Sequence, residues 1–324
     1  MELMTILIVF IIISIVISFS IGSNDETFST IYGSRILSMK KILILTTIFA
    51  ILGAVVLGGS VSKTVGTGII QSVDYSIVAT ILISTACWLI FSSILKFPIS
   101  TTHSTIGAII GVGLFNYGLN GINWPKIVEM SIWWIFSPII GYVVSYLTYK
   151  LIHLTVLNKV SGLKNIERVE KIFSYVLLGV ISITAFSRAG NDCSNAVGIL
   201  AGIQNGGLDF TLLLLIAGIS FSFGIIILGR GVIKSVGTLT ELFPSTAFAS
   251  EIPTAIILFI GTYLGIPLSG SHMLIGSLLG LSKARRSPSK RGVWKLVLIW
   301  LLTFPVAAFL AIIIYIPINY LFNF

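Results

Sequence analysis

The sequence predicts an all-α, polytopic membrane protein built from two inverted-topology repeats with broken or re-entrant helices. Three observations carry this expectation. Of the 324 residues, 56% are hydrophobic and only 10% are charged, against roughly 25% charged in a soluble domain, and the mean hydropathy is +1.05. Nearly continuous apolar stretches of about 20 residues recur, each long enough to cross a bilayer, and they lack the short alternation of a membrane barrel. Finally, several motifs occur twice, in one order and at nearly one offset.

In order along the chain, apolar spans are expected at about 3–21, 42–60, 76–95, 98–117, 128–152, 172–188, 210–229, 250–265, 267–282 and 294–322. Residues 1–21 lack a basic leader and an Ala-x-Ala-like cleavage site, which favours a retained span over a signal peptide. The 76–117 pair either crosses twice or re-enters. The last run contains Pro305 and Pro317, so it can tilt, kink or split. The basic, polar stretch 150–171 reads as a cytoplasmic linker between a first transmembrane repeat, 1–149, and a second, 172–324.

The charges report orientation. If the N-terminus is outside, one face collects Arg35, Lys40 and Lys41, then Lys96, then the Lys150–Lys171 group. Arg230 and Lys234 and the Lys283–Lys295 group, with Lys290 and Arg291, fall on the same face, leaving only Lys63, Lys126 and Arg188 opposite. That bias marks the crowded face as cytoplasmic and puts both termini outside a multi-pass protein of the cell membrane. The net charge of +9 is thereby explained by the lipid bilayer, with no nucleic acid required. Cys87 and Cys193 have no metal-type spacing and read as free thiols.

The repeats bear the chemistry. Gly22-Ser23-Asn24-Asp25-Glu26-Thr27 aligns with Gly190-Asn191-Asp192-Cys193-Ser194-Asn195 through the Asn-Asp pair, at offset 167. Val61-x-Lys63-Thr64-Val65-Gly66-Thr67 aligns with Val232-x-Lys234-Ser235-Val236-Gly237-Thr238 at offset 171. Pro98-Ile99-Ser100-Thr101-Thr102-His103 aligns with Pro267-Leu268-Ser269-Gly270-Ser271-His272 at offset 169. Each copy of the last continues into a Gly-x-x-x-Gly face, Gly107/Gly111 and Gly276/Gly280, which lets a neighbouring helix approach closely. An odd number of crossings separates equivalent points, so the copies should run in opposite directions, as in secondary transporters that bind substrate near the midplane.

Acids and carboxamides at bilayer depth usually face a packed interior or a water-filled path and mark function. Asp25 and Asp192 suit a hard cation, with carbonyl oxygens from Asn24, Asn191 and Asn195, and unwound backbone near Gly22 and Gly190 would add more. A helix starting at Ser100 or Ser269 presents free N–H groups and a positive dipole end, an anion site. The hydroxyls of Ser100, Thr101, Thr102, Ser269 and Ser271 would supplement it. Plain helix capping also fits each of these stretches. His103 and His272 suit either a structural role or a proton relay, and Glu26 reads as a solvated charge at a segment end.

At these residues the chain resembles the inorganic phosphate transporter (PiT) family. Its hallmark is a duplicated Gly-Ala-Asn-Asp-Val-Ala-Asn-Ala motif paired with Pro-Val-Ser-Thr-Thr-His. The resemblance runs from about Gly22 to Gly280. It implies a symporter that takes up inorganic phosphate with Na+ or H+, as a homodimer without other cofactors. It assigns substrate binding to Asn24, Ser100, Thr101, Thr102, Asn191, Ser269 and Ser271, and a coupling cation to Asp25, Asp192 and Asn195. The chain departs from the pattern at Phe28, where a second asparagine is usual, and at Gly270, where a threonine is usual. Ala189-Gly190 inverts the usual Gly-Ala, and Arg188 replaces a histidine. This fixed cation could strengthen oxyanion binding or stand in for a coupling ion. A sulfate carrier is the nearest alternative. A channel would use the same residues, and an intramembrane serine hydrolase would use Ser100 and His103 without a Gly-x-Ser-x-Gly elbow.

Overall fold

The structure, a computed structural model, describes residues 2–70, 73–201, 209–287 and 292–322. Among them are twelve α-helices and no strand; the basic residues Lys290 and Arg291 lie outside the described residues. The first half comprises α1 (Glu2–Ser23), α2 (Ser29–Gly33), α3 (Met39–Thr67), α4 (Tyr75–Ile94), α5 (Thr101–Tyr117) and α6 (Trp124–Thr155). The second comprises α7 (Leu163–Ala201), α8 (Phe210–Gly224), α9 (Arg230–Gly237), α10 (Pro244–Tyr263), α11 (Gly270–Arg285) and α12 (Gly292–Phe322). A π-helical turn, Ile225–Gly229, joins α8 to α9.

Local chemistry starts the helices where polar side chains can take the first free N–H groups. Asp74 accepts from Ile77 N at 2.8 Å before α4, and Asn123 accepts from Lys126 N at 3.2 Å before α6. Among the described residues, seven helices or helix pairs are long and apolar enough to cross a membrane, and outer faces carry lipid-type stripes. On α3 the stripe is Ile44, Ile48, Leu52 and Val56, all exposed. The chain is an integral helical membrane protein. With 17 and 16 residues, α5 and α11 rise only about 26 and 24 Å, short of the ~30 Å hydrocarbon core.

One expectation changes and two are sharpened. The span at 172–188 belongs to a 39-residue helix, α7, which runs unbroken through the second Asn-Asp motif. The backbone at Gly190 is therefore helical, not unwound. The basic stretch 150–171 is mostly helix, because α6 reaches Thr155 and α7 begins at Leu163, leaving a short connection with a 3-10 turn at Leu157–Lys159. The last run does not split; α12 is one helix containing Pro305 and Pro317.

Packing follows an exchange between the halves. α1 packs on α8 and α7 on α3; α5 packs on α12 and α11 on α6; α4 packs on α12 and α10 on α6. Each contact recurs with the two halves exchanged, which is compatible with a two-fold relation between them. The Gly-x-x-x-Gly faces make close contacts of this kind. A methyl group on Gly107 or Gly111 would strike the carbonyls of Phe304 or Ala308 on α12, and one on Gly276 or Gly280 those of Pro138 or Tyr142 on α6. The turns before α5 and α11 also match: Lys96 (φ 60°) and Gly265 (φ 74°) are both left-handed. Lys96 lies beside Gly231 of α9, and Gly265 beside Ser60 of α3.

Candidate functional site

The site lies where the first helical turns of α5 and α11 meet. Ser100 caps α5 by accepting from His103 N at 3.1 Å, and Ser269 caps α11 by accepting from His272 N at 3.4 Å. The helices are then tied crosswise. Thr102 donates to the Leu268 carbonyl at 2.9 Å, and Ser271 donates to the Ile99 carbonyl at 3.2 Å. These two bonds are equivalents of one another, and they hold two helix N-termini side by side in the interior. The N–H groups of Thr101, Thr102, Gly270 and Ser271 occupy the first two positions of their helices and have no acceptor within them.

Asn24 and Asn191 anchor the segments leading into these helices. The Asn24 amide donates to Ser92 Oγ (2.9 Å), Ser93 Oγ (3.1 Å) and the Phe97 carbonyl (2.9 Å), and its Oδ1 accepts from Ile99 N at 2.7 Å. Asn191 donates to Thr262 Oγ1 (3.2 Å) and the Ile266 carbonyl (3.1 Å). Both side chains are thus engaged with the pre-helix segments. Among the described residues, Asn191 Oδ1 and Asn195 Oδ1 have no hydrogen-bond partner although both are buried. They sit one turn apart on α7 beside Asp192 and form a pair of bare carbonyl oxygens suited to a hard cation.

The centre of the site is ionic. Arg188 Nε lies 3.3 Å from Asp25 Oδ1 and 3.2 Å from Asp192 Oδ2, and Nη1 lies 2.6 Å from Glu26 Oε1. Nη2 donates to Ser271 Oγ at 3.0 Å. Both Asn-Asp motifs and the α11 start thus converge on one guanidinium, and all four charged groups are buried. Glu26 is not a solvated segment end. It is completely buried and pairs with Arg188, 162 positions away. Asp25 Oδ1 also accepts from Thr27 N (2.9 Å) and Thr27 Oγ1 (2.6 Å).

Gly270 explains its own departure from the motif. A Cβ there would lie 3.1 Å from Arg188 Cζ, so the missing threonine side chain leaves room for the guanidinium. Glu251 on α10 went unnoticed in the sequence. It is fully buried and accepts from Thr30 at 2.7 Å and Thr184 at 3.4 Å. Its signal was available, since a glutamate at the start of an apolar run is an intramembrane acid.

His103 and His272 face elsewhere. Their rings lie 4.5 Å apart, flanked by Trp134 and Trp300, and both line an apolar cavity of about 930 Å³ between α5, α6, α11 and α12. The Ser100 hydroxyl serves the His103 backbone N–H rather than its ring, so no nucleophile–base pair forms there. Among the described residues no group of three or more His, Cys, Asp or Glu could hold a metal ion; Cys87 and Cys193 are free.

Fold and site together define a class: a polytopic helical membrane protein whose two related halves join at buried helix N-termini and an ion cluster. The chain belongs to the phosphate transporter family, whose profile matches residues 21–311, and that is a family of transporters, not of enzymes. A solved structure of the sodium-dependent phosphate transporter matches it with a TM-score of 0.89 and 26% identity, over 97% of this chain and 99% of that one. A Haemophilus influenzae relative with a provisional phosphate permease name is 26% identical over 94% of this chain and 95% of its own length. The chloroplastic inorganic phosphate transporter 2-1 of Arabidopsis thaliana is 27% identical over 91% of this chain and 69% of its own.

Proposed function

We propose that the chain is a secondary carrier taking up inorganic phosphate across the cell membrane, coupled to sodium or protons, with both termini outside and halves of opposite orientation. The observation that supports it most is the crosswise pair Thr102–Leu268 and Ser271–Ile99. It holds two helix N-termini at one point beside the acids of both motifs. A tetrahedral oxyanion needs donors converging from several sides, and four N–H groups of α5 and α11 with the Thr101 hydroxyl supply them. In this reading Ser100 and Ser269 act as caps, and Asn24 and Asn191 hold the pre-helix segments in place. Thr102 and Ser271 fix the spacing of the two helix tips. Asp192 and the carbonyl oxygens of Asn191 and Asn195 form the cation side.

The test is uptake of labelled phosphate into proteoliposomes under separate sodium and proton gradients, with sulfate as competitor. Uphill phosphate accumulation driven by either gradient is the expected result. Preferential accumulation of sulfate would move the substrate to that anion, and equilibration without accumulation would indicate a channel. Asp192→Asn should abolish gradient-driven uptake.

A further inference from the structure

We propose that Arg188 is the built-in counter-ion of this site, filling the place between Asp25 and Asp192 so that a mobile metal cation binds on the second-half side alone. The inference rests on the cation-coupled reading above and narrows it.

Comparison of the two halves, position by position, carries the argument. Arg188 corresponds to Ile21, Glu26 to Cys193 and Gly270 to Thr101. None of the three has a like residue in the other copy, yet the fold brings all three into contact. Glu26 pairs with Nη1 at 2.6 Å, and Gly270 vacates the space beside Cζ. They behave as one inserted unit: a cation, an added acid to balance it, and the room to fit both.

Oxygen accounting points the same way. In the first Asn-Asp motif the amide oxygen is taken. Asn24 Oδ1 accepts from Ile99 N, Phe28 stands at the position matching Asn195, and Asp25 Oδ1 is shared by Thr27 and Arg188. In the second half, Asn191 Oδ1 and Asn195 Oδ1 are buried and bare among the described residues. A metal ion between Asp25 and Asp192 would have to take the space that the guanidinium fills, 3.3 and 3.2 Å from the two carboxylates, a like-charge contact in a dry interior. The guanidinium also faces three carboxylates, which leaves it poorly placed to act as the main partner of an incoming anion. Because Arg188 is covalently part of α7 it is never released from the protein, so it contributes no driving force.

The experiment is the sodium response of the melting temperature of the purified full-length protein in detergent, without phosphate. Asp25→Asn should respond to sodium as the wild type does, and so should Arg188→Lys, which keeps the charge. The double variant Arg188→Gln/Glu26→Gln removes the ion pair while leaving Asp25 and Asp192 facing each other, and it should gain a larger sodium-induced shift than wild type. Loss of the wild-type sodium response in Asp25→Asn would overturn the proposal, as would a double variant that responds no more than wild type. Should the double variant fail to fold, Asp25→Asn still decides. Failure of the wild type to accumulate phosphate would instead strike the functional reading and leave these sodium responses standing.

Discussion

The two Asn-Asp motifs share their Asn-Asp pair and differ in structure. In the first, α1 stops at Ser23, and the chain turns through Asn24–Thr27 with both the amide nitrogen and the amide oxygen of Asn24 engaged. In the second, α7 continues straight through Asn191–Asn195, leaving two carbonyl oxygens without partners among the described residues. The surroundings differ to match. The broken segment packs against the π-helical turn, where Gly229 meets the Gly22 carbonyl, whereas Gly190 and Gly198 on α7 rest on regular α3. From related motifs the molecule thus builds one joint whose amide is fully engaged and one helix that leaves two buried carbonyl oxygens bare among the described residues.

Arg188 sits where the halves differ most, and breaking it should have the largest effect. Arg188→Ala leaves three buried carboxylates without a counter-ion and should destabilise by about 3–5 kcal/mol, read as the fall in stability of the purified protein. Arg188→Lys should recover a large part of that loss. Next come the anchoring amides. Asn24→Ala strands the Ile99 N–H and removes three donated bonds, for about 2–4 kcal/mol, whereas Asn191→Ala loses two bonds, for about 1–2 kcal/mol. Equal losses would mean that the two joints are not mechanically different.

Adding a methyl at Gly270 sharpens the comparison from the other side. Gly270→Ala pushes on Arg188 and should cost about 1–3 kcal/mol, while Thr101→Ala, at the matching position, should change stability little. Smallest is the left-handed turn. Lys96 holds a conformation that Gly265 holds in the second half, so Lys96→Gly should stabilise by up to about 1–2 kcal/mol. Thermal melts of the paired variants check both.

Much of this architecture was readable before any coordinates. The Gly-x-x-x-Gly faces, the proline-led starts of α5 and α11 and the duplication itself depend on local pattern, and each lies where its spacing implies. The capping duty of Ser100 and Ser269 was readable too, as one of two readings of the same residues. The partnership of Glu26 with Arg188 was not, because nothing local links residues 162 apart. The continuity of α7 was hidden for a related reason. Both copies carry the Asn-Asp pair, one breaking and one staying helical, and the pair itself does not say which. Gly270 looked like a defect in a motif until the guanidinium beside it gave the glycine a purpose.

The central claim is that both halves share one anion pocket. The direct measurement is phosphate protection of single cysteines from a thiol reagent, with Thr101→Cys and Gly270→Cys each placed in a background lacking Cys87 and Cys193. Phosphate should slow labelling at both positions over the same concentration range. Protection at one with none at the other would contradict a shared pocket.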